Sequence, residues 1–210
     1  MAQALEILKS VGAVITDSHF VLTTGRHSAT YINKDALYSH PLESSKIGEL
    51  FAQKYKDHVV DVVAAPALGG IILSQWTAYH LTKLKGKEVQ GVYTEKTPDK
   101  QQIFTRGYDK IVKGRNVLII EDLTTTGGSV KKVVDTVKTV GGQVVGVCVM
   151  VNRDPKSVNS ESVGAPFAAL DELVVESYEE KNCPLCAKNV PINIDVGHGR
   201  KYLEHKKTAP

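Results

Sequence analysis

Short runs rich in β-branched residues, 59–64, 89–93, 117–120 and 144–151, alternate with stretches of helical spacing, and this alternation most limits what the chain can fold into. Runs that are apolar throughout, rather than at every second residue, suit strands covered on both faces. Ile71 to Leu84 and Ser129 to Val140 read as helices, the second stopped by Gly141-Gly142. Leu42 to Tyr55 is an amphipathic helix ahead of the first strand, with Ile47, Leu50, Phe51 and Tyr55 on one face. This order predicts right-handed crossovers and an α/β fold, a mostly parallel sheet flanked by helices. Before it, Ala4, Leu5, Leu8 and Val11 predict a helix closed by Gly12, and Phe20 to Leu22 with Thr30 to Ile32 predict a hairpin around a glycine-containing turn. The chain thus divides into an N-terminal helix and hairpin, residues 1–40, a core, 41–180, and an irregular polar segment, 181–210, that is either a tail or a surface wrap, all within one domain.

At 210 residues, 42% hydrophobic and 23% charged, the chain suits a single folded core. A net charge of +3 is too small for a nucleic-acid binder, which carries a dense basic face. No run reaches the roughly 18 apolar residues of a membrane span. Residues 1–12 lack the basic start and long apolar stretch of a signal peptide. A cytoplasmic protein without nucleic-acid or membrane partners is expected. The three cysteines, Cys148, Cys183 and Cys186, leave one unpaired in any disulfide scheme, which fits a reducing compartment. Cys183-Pro-Leu-Cys186 has the spacing of half a zinc site that His198 and His205 would complete, against the plainer reading of two free thiols in a tight turn. His19, His27 and His40 read as surface or turn residues, and Trp76 as core or subunit contact.

The chemistry concentrates in Val117-Leu-Ile-Ile-Glu121-Asp122-Leu123-Thr124-Thr125-Thr126-Gly127-Gly128-Ser129. An apolar strand runs into two carboxylates, then hydroxyls and glycines, then a helix. Ligands of open α/β sheets bind beyond the carboxyl ends of the strands, where the next helix offers free N–H groups to an anion. Thr124 to Ser129 therefore forms a cradle for a phosphate monoester. Carboxylates oppose phosphate but suit a sugar: Glu121 and Asp122 can accept hydrogen bonds from vicinal ribose hydroxyls and hold the waters of a magnesium ion. A capping turn alone does not need two acids, three threonines and two glycines.

This stretch resembles the phosphoribosyl pyrophosphate signature of type I phosphoribosyltransferases, and the likeness extends through most of the chain. Phe20-Val-Leu-Thr-Thr-Gly25-Arg26-His-Ser28 is similar to the N-terminal hairpin of the orotate phosphoribosyltransferases, and Asp61-Val-Val-Ala-Ala-Pro66-Ala67-Leu68-Gly69-Gly70 to the pyrophosphate loop. Phe104-Thr-Arg106-Gly107-Tyr108 resembles the region just after the catalytic loop, and Val151-Asn-Arg153-Asp154 the place of a base-binding arginine. The resemblance implies the type I phosphoribosyltransferase fold with a small N-terminal hood. It implies transfer of ribose 5-phosphate from 5-phosphoribosyl-1-pyrophosphate to orotate, giving orotidine 5'-monophosphate in pyrimidine nucleotide synthesis. It also implies Mg2+ held by substrate and water without direct protein ligands, and a homodimer.

The implied catalytic residues are Lys96, Lys100, Arg106 and Asp122. The sugar donor falls to Glu121, Asp122, Leu123, Thr124, Thr125, Thr126, Gly127, Gly128 and Ser129, with Ala67, Leu68 and Gly69, and orotate to Thr125, Arg153, Arg26 and Tyr31. The chain departs from the common pattern twice. Its loop Glu95 to Arg106 lacks the histidine of Lys-x-x-Lys-x-His-Gly, and Thr23 stands where a lysine is common, with Lys34 as a substitute. A branch of the orotate enzymes shares the missing histidine and ends in Cys-Pro-Leu-Cys. The alternatives are transfer to another base such as a purine, which the N-terminal hairpin disfavours, and a non-catalytic sensor of the sugar donor.

Overall fold

Val62 and Ala64 point to one side of their strand and Val63 and Ala65 to the other, and all four are fully buried, so both faces of the sheet they belong to must be covered. The computed structural model describes residues 3–208; the first two and last two residues of the expected hood and tail lie outside the described residues. Strands β1 (Val62–Pro66), β2 (Gln90–Lys96), β3 (Gln102–Ile103), β4 (Asn116–Thr124), β5 (Gln143–Asn152) and β6 (Phe167–Glu172) form one sheet in the order β6-β5-β4-β1-β2-β3. All neighbours are parallel except β3, which folds back antiparallel on β2. Helices α1 (Pro41–Lys54) and α2 (Gly69–Lys85) pack Ile47, Phe51, Leu73 and Leu81 on the face that carries Val63, Leu118 and Met150. On the other face α3 (Gly128–Thr139) buries Val130, Val133, Val134 and Val137, an i, i+3, i+4, i+7 stripe, against Val62, Ile119 and Val149. Each buried valine contributes roughly 1.5–3 kcal/mol.

Strands β1 and β4 are neighbours, but the chain leaves β1 towards β2 and leaves β4 towards β5. Their carboxyl ends therefore part, and a crevice opens between the loops that follow them.

Several sequence expectations are corrected. The hood is a helix (Gln3–Ser10) and two separate ladders: Phe20–Val21 pairs with His27–Ser28, while Tyr31–Ile32 pairs with Val14–Ile15. Residues 30–32 do not face 20–22, because Leu22 exchanges hydrogen bonds with Gly25 and Arg26 and the tight turn brings His27 opposite Val21. Strand β1 begins at Val62, since Val59 is 64% exposed, and Gly69 and Gly70 open α2 instead of preceding it. Strand β6 lies at the sheet edge and is half-buried, and its apolar run, Phe167 to Leu170, lacks β-branched residues and ends at Asp171. The segment after 181 is not irregular throughout: it contains the helices Pro184–Ala187 and Gly199–Thr208 and wraps the hood, with a bridge from Ile192 to His19, and just ahead of it Tyr178 bridges to His27. Among the described residues no helix is long and apolar enough to cross a membrane.

Candidate active site

The two acids sit inside the last turns of β4, not in a loop. Glu121 is 8% and Asp122 3% exposed. Asp122 Oδ2 accepts from Lys34 Nζ at 2.7 Å and from the Tyr38 hydroxyl at 2.8 Å, its Oδ1 from Leu123 N–H at 2.6 Å, and Glu121 Oε1 accepts from Asp122 N–H at 2.9 Å. Burial, and after it the Asp122 charge, pushes the Glu121 carboxyl well above the usual carboxylate range. For Lys34 burial acts downward, but the Asp122 carboxylate outweighs it and holds the ammonium above the usual lysine range. Burial, with Asp122 beside it, likewise raises the Tyr38 phenol.

The loop after β1 closes on the same carboxylate. A Cβ on Gly69 would fall 2.2 Å from Asp122 Oδ2 and 2.4 Å from the Tyr38 hydroxyl, so only glycine permits this approach. The Ala67–Leu68 peptide is cis, and the Leu68 side chain is 82% exposed over the crevice loop. Beyond β4, Thr124 Oγ1 accepts from Gly127 N–H at 3.0 Å and Thr126 Oγ1 from Gly128 N–H at 3.4 Å. Gly127 holds φ at 72° as the residue before α3, whose first turn has no side-chain cap. Thr125, Thr126, Gly128 and Ser129 are exposed at this helix start.

Arg153 N–H donates to Thr124 O at 2.8 Å, which ties the residue after β5 to the cradle. Its side chain is half-buried, and Nε is buried with no hydrogen-bond partner. Burial lowers the guanidinium pKa, and the nearby Tyr31 acts in the opposite sense. Two acids that could have paired with it are engaged elsewhere: Asp154 Oδ1 accepts from Ser157 N–H and Asp171 Oδ2 from Leu5 N–H. Among the described residues Arg153 has no ion pair. Tyr31 stacks on Phe20 at 5.4 Å. Arg26 does not share the free state of Arg153, since its guanidinium donates to the hydroxyl and the carbonyl of Ser177.

The basic loop residues lie at the other end of the crevice. Ala67, Leu68, Tyr93, Lys96 and Arg106 line a cleft of about 540 Å³. Lys96 and Lys100 are exposed at the ends of the turn between β2 and β3, which Thr97 fastens through Asp99 and Gln101. Arg106 pairs with Glu95 at 2.9 Å. The structure thus gathers Glu121, Asp122, the 124–129 cradle, Gly69 and Arg153 at one switch point, leaves Lys96 and Lys100 at its rim, and occupies Arg26 and Arg106 with other partners. Sequence reasoning named Lys34 only as a substitute for Thr23 and missed Tyr38. A lysine and a tyrosine four residues apart are signal only once the hood is packed on β4.

Two further expectations change. His19 and His27 are not surface residues: they are 1% and 0% exposed, beside Cys183 and Cys186. His198, expected to complete a zinc site, instead meets Thr23 Oγ1 through Nε2 at 3.1 Å, and neither it nor His205 belongs to the group gathered around the two cysteines.

The phosphoribosyl transferase domain family matches residues 33–163, which hold the parallel strands β1, β2, β4 and β5, the two acids and the threonine- and glycine-rich turn after them. An orotate phosphoribosyltransferase of Thermoanaerobacter sp. (strain X514) is 39% identical over 190 residues, 90% of this chain and 94% of that one. One from Thermus thermophilus is 36% identical over 188 residues, 90% of this chain and 97% of that one. Among solved structures, orotate phosphoribosyltransferase of Mycobacterium tuberculosis H37Rv in complex with Fe(III) dicitrate superposes with a TM-score of 0.66 at 24% identity, covering 82% of this chain and 95% of that one. The chain belongs to the orotate phosphoribosyltransferase family.

Proposed function

We propose that the chain transfers ribose 5-phosphate from 5-phosphoribosyl-1-pyrophosphate to orotate, releasing pyrophosphate and orotidine 5'-monophosphate. The observation that carries the choice of base is the unpaired guanidinium of Arg153 beside Tyr31, one strand away from the cradle. A planar fork can hold the orotate carboxylate through two hydrogen bonds, and a half-buried cation without a counter-ion is stabilised by receiving one. A purine has no carboxylate to supply that counter-charge.

The donor's 5-phosphate rests on the N–H groups at the start of α3, among Thr125, Thr126 and Ser129. Asp122 and Glu121 face the ribose hydroxyls, with Asp122 oriented by Lys34 and Tyr38. The ring nitrogen of orotate attacks C1 of the ribose as the C1–O bond to pyrophosphate breaks and its electron pair leaves on the pyrophosphate. Backbone at Ala67 to Gly69 and the cations of Lys96, Lys100 and Arg106 lie on the leaving side. Arg106 reaches that charge by exchanging Glu95 for it.

Magnesium fits here as a substrate-held ion, because both oxygens of Asp122 already accept from protein donors and Glu121 is buried. Bound to the pyrophosphate, it would neutralise the charge that develops there. The exposed positions of Lys96 and Lys100 and the exposed Leu42, Tyr79 and Leu84 of α1 and α2 support action as a homodimer, with the loop serving the neighbouring site. Incubation with orotate, the sugar donor and Mg2+ should consume orotate with equimolar release of pyrophosphate. No turnover at micromolar enzyme, with intact donor binding, would favour a sensor instead.

A further inference from the structure

Two histidines from the hood and two cysteines from the C-terminal wrap, far apart along the chain, meet in one buried place. The ligand atoms of His19, His27, Cys183 and Cys186 all lie within 4.8 Å of one another. His19 Nε2 is 2.7 Å from His27 Nδ1, Cys186 Sγ is 3.3 Å from His27 Nδ1, and Cys183 Sγ and Cys186 Sγ are each 3.8 Å from His19 Nε2. Three of the four residues are buried and the fourth is half-buried.

We propose that these four side chains form a structural zinc site that clamps the C-terminal wrap to the N-terminal hairpin. Zinc bonds of ~2.0–2.1 Å to nitrogen and ~2.3 Å to sulfur, in a tetrahedron, put ligand atoms roughly 3.3–3.8 Å apart. The three nitrogen–sulfur contacts above already fall in that range, the two ring nitrogens need to part by about 0.6 Å, and the widest pair, at up to 4.8 Å, needs to close by about 1 Å. The ring of His19 already has the orientation a metal requires. Its Nδ1 donates to Val190 O at 2.8 Å, which leaves the Nε2 lone pair turned inward, and such an outer bond is usual for a metal-binding histidine. Charge also favours a dication. Two buried thiolates alone are costly, whereas with Zn2+ and two neutral imidazoles the site sums to zero. Without a metal the two thiols have only weak hydrogen bonds to the imidazole nitrogens.

The surrounding backbone shows what the clamp would hold. His27 and Tyr178 exchange N–H···O bonds at 2.8 Å, Asn193 N–H donates to His19 O at 2.8 Å, and His198 N–H donates to Val21 O at 2.9 Å. The wrap thus lies along both edges of the small hairpin that carries Arg26, a two-stranded unit too small to be stable alone. A metal joining both strands to the wrap would fix the hood above the crevice. The clamp does not depend on which base the enzyme takes.

Metal content of the full chain, purified reduced and without a metal-affinity step, tests the site. About one zinc per chain is expected, falling below about a tenth in Cys186→Ser and in His27→Ala. Cobalt added to the metal-free wild-type chain should give the intense visible absorption of tetrahedral ligation together with thiolate-to-cobalt charge transfer. Removing zinc should lower the melting temperature by at least about 5 °C. If the variants fail to fold, the zinc content and cobalt spectrum of the wild type decide alone. Less than about a tenth of an equivalent of zinc with no tetrahedral cobalt spectrum, or a Cys183–Cys186 disulfide in the native chain, overturns the proposal, and stoichiometric iron overturns the choice of ion.

Discussion

Asp122 is held by Lys34, Tyr38 and its own neighbour's N–H, so its orientation is a property of the fold and would cost nothing on binding the proposed sugar. Glu121 beside it is the less comfortable acid. Burial and then the Asp122 charge raise its pKa above the ordinary 4.5, so the folded chain keeps a proton that the unfolded chain releases. Its contribution to stability is complete below that ordinary value and is lost as pH rises through the folded one. Urea unfolding should therefore show Glu121→Gln gaining on the wild type as pH rises from about 4.5; a difference that stays constant with pH contradicts this. The acids, threonines and glycines of 121–129 were readable as one turn between a strand and a helix because they are contiguous. Lys34 and Tyr38, 88 and 84 residues from Asp122, were not, since nothing local to them announces the carboxylate they meet. The histidines show the same limit, being polar in sequence and buried by partners more than 150 residues away.

At the scale of elements, the Lys34–Asp122 pair is the polar bolt between the hood and β4. Lys34 is a little over a third exposed, so water softens its loss, but Asp122 would stay buried at 4% side-chain exposure. Lys34→Ala should cost about 2 kcal/mol, less than the loss of a fully buried pair, read as a lower urea midpoint with unchanged slope. An effect within about 0.3 kcal/mol would mean that Tyr38 alone satisfies the acid. The three flanking helices and four of the six sheet strands were readable because the helices carry apolar residues at helical spacing and the strands are short continuous apolar runs, bounded by glycine or polar residues. β3 and β6 were not: the first is two residues in a polar loop, and the apolar start of the second, Phe167 to Leu170, is short, lacks β-branched residues and runs into Asp171 and Glu172. The helices of the last segment went unread for a related reason, its polar residues facing solvent while its backbone bonds the hairpin; of its two readings, tail or surface wrap, the structure has the wrap.

For the whole molecule, a homodimer whose loops serve each other's sites predicts rescue by mixing. Neither a Lys96→Ala, Lys100→Ala chain nor an Asp122→Asn chain should be active alone, but reassociated in equal amounts they should recover up to about a quarter of wild-type activity through hybrid sites. Sedimentation of the active enzyme as a monomer would contradict the arrangement. The central claim is that an orphaned arginine at the switch point selects a carboxylate-bearing pyrimidine, and comparison of orotate with uracil, which lacks only that carboxylate, tests it most directly. The kcat/KM of the wild type should favour orotate by at least about a hundredfold, and Arg153→Ala should remove most of this preference through KM for orotate while KM for the sugar donor is nearly unchanged. Equal use of the two bases by the wild type, or a preference that survives Arg153→Ala within about tenfold, would contradict it.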